Sequence, residues 1–468
     1  MPHERLSALD ASFLHLERLE TPMHVGALTV FEGEPFFTSA GRFRLHDVRE
    51  LVASRLDQLP RFRQRVQTVP LDAGQPIWVD DDRFDIGYHV RLTALPRPGE
   101  WPQLVALFER LQAQVLDRSR PLWELWFVEG LEAGHVALIQ KTHHALVDGV
   151  SGVDVATVLL DFEPDPPRPA PAADWSPEPA PTPGKLLIDT VRERVAGVAD
   201  LARRTRHAAE DPRPRAARAA TLARSVATIT DHGLVAPRTS LNRPTGRSRR
   251  FGRVRVPLDE VKTVRAEFGG TINDVILAGV AGGLGRLLES RGELTPDLVL
   301  KVFCPVSVRA DDEHLRLGNR VSALFVPLPV AEPDPRRRLD QIREATAMLK
   351  ASEQAVAASA LLGLGEYAAP TLLGLAARLV HHQPFFNLVC TNVPGPQVPL
   401  YCMGARMLEA YPMVPLSRNL NLGVAILSYC GALHLGLLAD RDQWADLDVL
   451  EAGIDDAFAE LHKLAAGP

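Results

Sequence analysis

Cysteine is scarce in this chain. There are four in 468 residues (Cys304, Cys390, Cys402 and Cys430), all in the C-terminal half and none at CxxC spacing. That argues against a disulfide framework or a cysteine metal site, and for reduced core thiols in a cytoplasmic compartment. Long apolar runs are missing too. The nearest, residues 355–380, is interrupted by Glu366, Pro370 and Arg378, so no stretch of about 18 uncharged apolar residues is available to span a bilayer. The start, Met1-Pro2-His3-Glu4-Arg5, meets charge at once, and no signal peptide is expected. A net charge of −6 and a pI near 6.2 give no global attraction to nucleic acid. Neither HExxH nor G-x-S-x-G occurs, which removes the simplest zinc-hydrolase and serine-hydrolase readings. Tandem repeats are absent as well.

What is present is ordinary in bulk and uneven along the chain. Hydrophobic residues make up 46% and charged residues 24%, as in a soluble globular protein, and the length suits two domains. Nine of the 21 residues from 163 to 183 are proline, which forbids regular helix or central strand and marks a linker. Residues 185–232 then read as helix-prone, split at Pro212 and Pro214, with Leu186, Leu187, Val191, Val195, Val198 and Leu201 at helical spacing. From 185 to 250 fifteen Lys/Arg face six Asp/Glu, a local +9 that leaves −15 for the rest. Two uses fit these basic helices: packing between domains with solvated arginines, or touching anionic lipid headgroups through Arg192, Arg194, Arg203 and Arg204. The expected layout is an N-terminal domain over 1–162, linker and basic helices over 163–247, and a C-terminal domain over 248–468.

The most informative segment is His143-His144-Ala145-Leu146-Val147-Asp148-Gly149, or HHxxxDG. It follows a short apolar run, 136–139, that reads as a buried strand, and Ser151 after it can cap a helix. The two histidines thus sit at a strand-to-helix corner. An imidazole with an ordinary pKa of about 6.5 can take a proton from a hydroxyl or thiol near neutral pH, so acyl transfer is the first chemistry to consider. A solvated or structural histidine pair is one rival reading. Metal binding through His144 and Asp148 is another, but Asp148-Gly149 reads as the turn itself and no second ligand set stands nearby, so no metal is expected.

Around this corner, helices are expected over 44–59 and 101–116, and strands over 77–79, 89–92 and 124–128. The second half reads as a strand at 252–256, helices at 259–268 and 271–289, strands at 299–308, 321–328, 386–391, 422–428 and 432–438, and a closing helix at 446–464. This alternation predicts an α/β or α+β protein of two domains with the active site between them.

Several blocks in order resemble one family. Leu9-Asp10-Ala11-Ser12-Phe13, Met23-His24-Val25-Gly26, Arg120-Pro121-Leu122-Trp123-Glu124, the HHxxxDG segment, Asn273-Asp274, Pro305-Val306-Ser307-Val308-Arg309, Gly318-Asn319-Arg320 and Asn392-Val393-Pro394-Gly395-Pro396 are similar to the bacterial wax ester synthase/acyl-CoA:diacylglycerol acyltransferases, within the chloramphenicol acetyltransferase-like superfamily. HHxxxDG alone is shared widely; the PLW, ND and NVPGP blocks in sequence are far more specific. Thr391 stands where a serine is expected, and keeps the hydroxyl.

The resemblance implies two chloramphenicol acetyltransferase-like domains with mixed sheets and a tunnel between them. It implies transfer of a long-chain acyl group from acyl-CoA, as co-substrate with no further cofactor, to a fatty alcohol or diacylglycerol. His144 would be the general base, His143 a support, and Asp148 and Gly149 structural parts of the corner. Asn273 and Thr391 would be oxyanion donors. Asp274, Asn392 and Trp123 would be substrate contacts, although Asp274 can instead anchor a helix, Trp123 can be a packed aromatic, and Thr391 and Asn392 can form the turn before Pro394. Acylation of a polyketide or glycolipid hydroxyl by the same histidine is the alternative chemistry, and a non-catalytic lipid-droplet protein the alternative class. Both implied acceptors live in lipid, so peripheral membrane or lipid-body association is expected.

Overall fold

The computed structural model describes residues 3–146, 159–167, 175–193, 235–307, 321–351 and 384–467. Asp148, Gly149, the helix expected after Ser151, Arg194, Arg203, Arg204, Arg309, the Gly318-Asn319-Arg320 block and the whole of the 355–380 stretch lie outside these residues.

Two six-stranded mixed sheets organise the chain. In chain order the strands are β1 (His24–Phe31), β2 (Gln64–Gln67), β3 (Ile77–Asp80), β4 (Val90–Ala94), β5 (Trp123–Glu129), β6 (Val136–His143), β7 (Arg249–Pro257), β8 (Leu300–Ser307), β9 (Val321–Leu328), β10 (Leu388–Pro394), β11 (Tyr401–Cys402), β12 (Ala405–Met413), β13 (Leu422–Tyr429) and β14 (Ala432–Asp440). The first sheet runs β11-β12-β1-β6-β5-β4, the second β7-β14-β13-β10-β8-β9, and β2-β3 form a separate hairpin. Each large sheet mixes antiparallel neighbours with parallel ones, β4/β5 in the first and β8/β10/β13 in the second.

The sheets do not respect the boundary expected at 248. β12 lies far along the chain yet pairs antiparallel with β1, Gly26 opposite Met413 through Thr29 opposite Ala410, so the C-terminal half lends β11 and β12 to the first sheet. Neither β1 nor β12 was expected as a strand. β12 contains Arg406, Glu409 and Pro412, and a proline inside a strand breaks the pattern that propensity looks for.

A shared apolar cluster closes the seam. Leu104, Leu107, Phe108 and Leu111, at i, i+3, i+4 and i+7 of the Trp101–Gln112 helix, meet Leu28 and Ile139 from the first sheet and Phe251 and Leu438 from the second. Glu109 of the same helix accepts the Phe251 N–H at 2.8 Å and pairs with Arg441. At the crossing of β12 and β14 a Cβ on Gly436 would run into the Pro412 carbonyl, so only glycine allows this approach.

Helices Leu258–Phe268, Ile272–Ser290, Pro335–Ala351 and Leu447–Ala466 cover one face of the second sheet. The Ile272–Ser290 helix is buried along most of its length, and Gly283 brings its backbone against Gly453 of the last helix. Among the described residues no single helix is long and apolar enough to cross a membrane. The four cysteines are free, three of them buried.

Candidate active site

β6 runs Val136–His143, and the chain leaves the sheet in a short 3-10 turn, His144–Leu146. Leaving the strand there separates two neighbouring rings. His143 is fully buried; its Nδ1 accepts the Ala145 N–H at 3.0 Å, so it caps the turn. A neutral ring that accepts at Nδ1 carries its proton on Nε2, and Nε2 faces Glu17 Oε1 at 3.4 Å. His24, directly opposite His143 across β1 and β6, approaches the same oxygen at 3.3 Å.

Glu17 is the hub of this corner. It follows the Ala8–Leu16 helix, which Ser7 caps by accepting the Asp10 N–H. Oε1 accepts the Met23 N–H at 3.2 Å, and Oε2 accepts from Arg118 Nε at 3.1 Å and Nη2 at 2.9 Å. Burial alone would push the Glu17 carboxyl up. Contacts from His143 and His24 outweigh that and hold it well below the usual carboxylate range. Burial drives His24 the other way, down to about 3, so it is uncharged at neutral pH; Arg118 brings a full positive charge to the other carboxylate oxygen of Glu17 at 2.9 Å.

His144 sits on top of this platform. Its backbone N–H donates to the Met23 carbonyl at 2.8 Å, and its half-buried ring stacks on Phe13 at 3.9 Å and 20°. Burial lowers its pKa to about 4, against a hydrogen bond with its own main chain that favours the charged form. The imidazole is therefore neutral at pH 7, with a lone pair to offer. Phe13, Glu17, His24 and Arg118 were not among the expected site residues. The signal was present: Phe13 and His24 lie in the LDASF and MHVG blocks, Glu17 between them, and Arg118 just before PLW.

The second half holds the other expected residues. Thr271 caps the Ile272–Ser290 helix, and Asp274 completes a capping box with it. Asp274 Oδ2 accepts from the Thr271 N–H at 2.7 Å and hydroxyl at 2.8 Å, and Oδ1 accepts from the Thr346 hydroxyl at 2.7 Å. Both oxygens are used and the residue is buried, so Asp274 is a helix anchor; the substrate contact expected of it is corrected. Asn273, one residue earlier, is half-buried and its side chain makes no hydrogen bond among the described residues. Thr391 and Asn392 lie within β10, not in a turn, and both are half-buried.

Trp123 is corrected as well. It is fully buried, its indole N–H donates to the Phe62 carbonyl at 2.7 Å, and His89 stacks on it at 4.4 Å. With its one donor used and no surface exposed, it has nothing to present to a substrate. Among the described residues no hydrogen bond, ion pair or ring contact joins His144 to Asn273 or Thr391. Two clefts of about 360 and 190 Å³, both beside Leu131 and His135, do not include the histidine corner.

Two mixed six-stranded sheets, the first completed by β11 and β12 from the C-terminal half, leave a neutral imidazole at a strand end, an arrangement suited to acyl transfer. Residues 6–276 match the wax ester synthase/diacylglycerol acyltransferase catalytic domain, and residues 317–462 match the C-terminal domain of that family. A probable diacylglycerol O-acyltransferase of Mycobacterium tuberculosis is 34% identical over 97% of this chain and 95% of its own length. A putative one from the same species is 33% identical over 98% of this chain and 90% of its own. The solved wax ester synthase/diacylglycerol acyltransferase of Marinobacter aquaeolei is 28% identical, with a TM-score of 0.66 over 99% of this chain and all of that one. The first condensation domain of the CDA synthetase, 16% identical with a TM-score of 0.59 over 100% of this chain and 96% of its own, shares the fold alone. The chain belongs to the wax ester synthase/diacylglycerol acyltransferase family.

Proposed function

We propose that this protein moves a long-chain acyl group from acyl-CoA to the hydroxyl of diacylglycerol or a fatty alcohol, with His144 as general base. The observation that carries the reading is the neutral ring of His144, held by Phe13 and the Met23 carbonyl at the end of β6. As the alcohol oxygen attacks the thioester carbon, His144 takes its proton and a C–O bond forms. The tetrahedral intermediate collapses, the C–S bond breaks, and the imidazolium returns the proton to the departing CoA sulfur. No covalent enzyme intermediate, metal or redox cofactor enters this route.

The developing oxyanion needs preorganised donors, and Asn273 is the first candidate because its amide makes no hydrogen bond among the described residues while its neighbour Asp274 is fully engaged. Removing one such donor costs about 10²–10³ in turnover, so Asn273→Ala is expected to fall in that range with little change in melting temperature. Thr391 is the second candidate. The acceptor is tested with palmitoyl-CoA against hexadecanol, diacylglycerol and short alcohols, products being read directly; absence of ester with every acceptor sinks the reading.

The reading extends to peripheral association with a membrane or lipid body from the cytoplasmic side. Residues 183–193 are helical; Leu186 packs on Val69, Ile77 and Val79, while Ile188, Val191 and Arg192 face outward. An exposed apolar face at the start of a segment whose sequence, 185–250, carries a local charge of +9 suits an anionic lipid surface. Co-sedimentation with anionic liposomes is expected to weaken with salt and on replacing Ile188 and Val191 by serine.

A further inference from the structure

Arg118 is placed by its own loop. Asp117 Oδ1 accepts the Ser119 N–H at 2.9 Å and the Ser119 hydroxyl at 2.7 Å, a side-chain turn that leaves Arg118 at its apex. From there the guanidinium reaches back along the sequence. Nη2 donates to the Leu14 carbonyl at 2.7 Å, and Nε and Nη2 both reach Glu17 Oε2. Just before β5, the Leu122 carbonyl accepts the His143 N–H at 2.9 Å, so the same loop borders the strand end that carries His144.

Arg118 differs from the acid and the histidines it meets by being open to water. Its side chain is 47% exposed, whereas those of Glu17, His24 and His143 are 4%, 1% and 0% exposed. A carboxylate so enclosed needs a balancing charge, because removing one partner of a buried pair leaves the other uncompensated. An arginine supplies that balance at every pH, since a guanidinium does not lose its proton in a protein. At Oε1, among the described residues, the groups able to bring a positive charge are the imidazoles of His143 and His24. Lys141 of β6 opposes a second proton on His24; it donates to the Leu111 carbonyl at 3.0 Å and interacts in turn with Glu124 of β5 and Arg91 of β4. Without Arg118 the compensating proton therefore falls to His143. A doubly protonated His143 has no lone pair on Nδ1, so it cannot accept the Ala145 N–H and cap the His144–Leu146 turn.

We propose that Arg118 is a positioning residue for acyl transfer: a cation that does not titrate, it balances Glu17 from the solvent side and keeps His143 an acceptor at Nδ1, which holds His144 in its turn. The inference rests on the acyl-transfer reading for the role of His144. Arg118→Gln, Arg118→Lys and the double variant Glu17→Gln/Arg118→Gln are compared with the unmodified protein in kcat and KM from pH 5 to 8.5. Initial rates are taken with palmitoyl-CoA and the acceptor that gives most ester. In Arg118→Gln the acid limb of kcat is expected to rise by about two pH units, within the range of about 1–3 for an opposite charge in contact. kcat should then fall about tenfold at pH 5 and by a smaller factor at pH 8.5, with both KM values within threefold. Arg118→Lys keeps a cation and should keep the limb within about half a unit. The double variant has no enclosed charge to draw in a proton, so its limb should lie at or below that of the parent, whatever its maximal turnover.

An acid limb that does not move in Arg118→Gln, or a loss of the same factor at every pH, is the behaviour of a packing role and overturns the proposal. So does a lysine variant that behaves like the glutamine one, or a limb that stays raised in the double variant. Should Arg118→Gln fail to fold, the double variant decides. If it folds, the fault lies in the unbalanced Glu17 charge, as proposed; if it fails too, Arg118 is a packing residue and the proposal falls. Nitrogen NMR of the imidazoles at pH 5 reads the proton on His143 independently of turnover. Nδ1 is expected to be bare in the unmodified protein and protonated in Arg118→Gln. If that change is seen in a protein that makes no ester with any acceptor, the acyl-transfer reading fails and the charge-balancing role stands. A bare Nδ1 in both proteins overturns the role, whether or not ester is made.

Discussion

The histidine corner and the start of the Ile272–Ser290 helix both bury polar groups, and they do it in opposite ways. At the helix start every polar atom of Thr271 and Asp274 has a partner, and the arrangement is a reciprocal cap reinforced by Thr346. At the corner His143 Nε2 and both nitrogens of His24 are buried without a well-aligned hydrogen bond, and the two Nε2 atoms face one carboxylate at 3.3–3.4 Å. A satisfied network rigidifies; an incompletely satisfied one is costly and is kept where chemistry needs it. On the proposed function, the first half sets the base His144 on a platform of incompletely paired histidines, while the second half carries Asn273 on a fully satisfied helix start.

The largest expected effect breaks the comparison at its reactive end. His144→Ala should lower kcat/KM about 10²–10⁴-fold, the range for a lost general base, while denaturant unfolding stays close to that of the parent. A variant with near-normal turnover would remove the corner from catalysis. Glu17→Gln comes next and should strike both activity and stability. It removes the charge facing Arg118, His24 and His143; the loss should be about 2–3 kcal/mol, less than the ~3–5 for a fully enclosed pair because Arg118 can turn to water. Turnover should fall about 10–10²-fold as the Met23–His144 contact loosens. Intact stability with reduced turnover, or the reverse, would show that Glu17 does not serve both.

Much of this was legible from residues alone. β6 announced itself by Val136-Ala137-Leu138-Ile139, since both its faces are buried and the run is continuously apolar. The Trp101–Gln112 helix followed from its leucine spacing, although it ends four residues before the expected 116. Glu17 and Arg118 stand beside the recognisable blocks, but their pairing was not legible, because it arises only when the end of the Ala8–Leu16 helix is folded under β6. The β1–β12 pairing was hidden for a related reason. Its partners are nearly 400 residues apart, and no local pattern reports that Gly26 will face Met413. Local chemistry is written locally; the seam is set by tertiary packing.

Acid should act on the corner before it acts on its carboxylate. His24 has a folded pKa of about 3 and His144 of about 4, both below the ordinary 6.5. The unfolded chain binds these protons first, so the stability they contribute is complete above pH 6.5 and declines as pH falls toward the folded values. Each unit is worth about 1.4 kcal/mol per group, so moving from pH 6.5 to 5 should cost roughly 2 kcal/mol through His24. Glu17 has its pKa depressed from 4.5, so its contribution persists through that window and is lost only at lower pH. Chemical denaturation at pH 7.5, 6 and 5 reads the slope; a flat profile would mean that the histidines are not held neutral by burial. The acid limb of kcat/KM should likewise lie nearer 4 than 6.5, measured at times short against unfolding.

The smallest effect tests the quiet side. Thr271→Ala removes the hydroxyl that accepts the Asp274 N–H at 3.3 Å and donates to its carboxylate, and leaves Asp274 with its Thr271 N–H and Thr346 contacts. Loss of an N-cap hydroxyl costs about 1 kcal/mol, with a range of roughly 0.5–2. The helix behind it is packed against the last helix at Gly283 and Gly453, so it should stay formed and the loss should appear only as a lower denaturation midpoint with an unchanged slope. Its effect on turnover separates two ideas of the scaffold. If Asn273 is aimed by the whole buried helix, kcat should change less than about threefold and the pH profile not at all. If kcat falls as far as in Asn273→Ala, the cap itself sets the donor's position, and the contrast between a reactive corner and a passive helix start no longer holds.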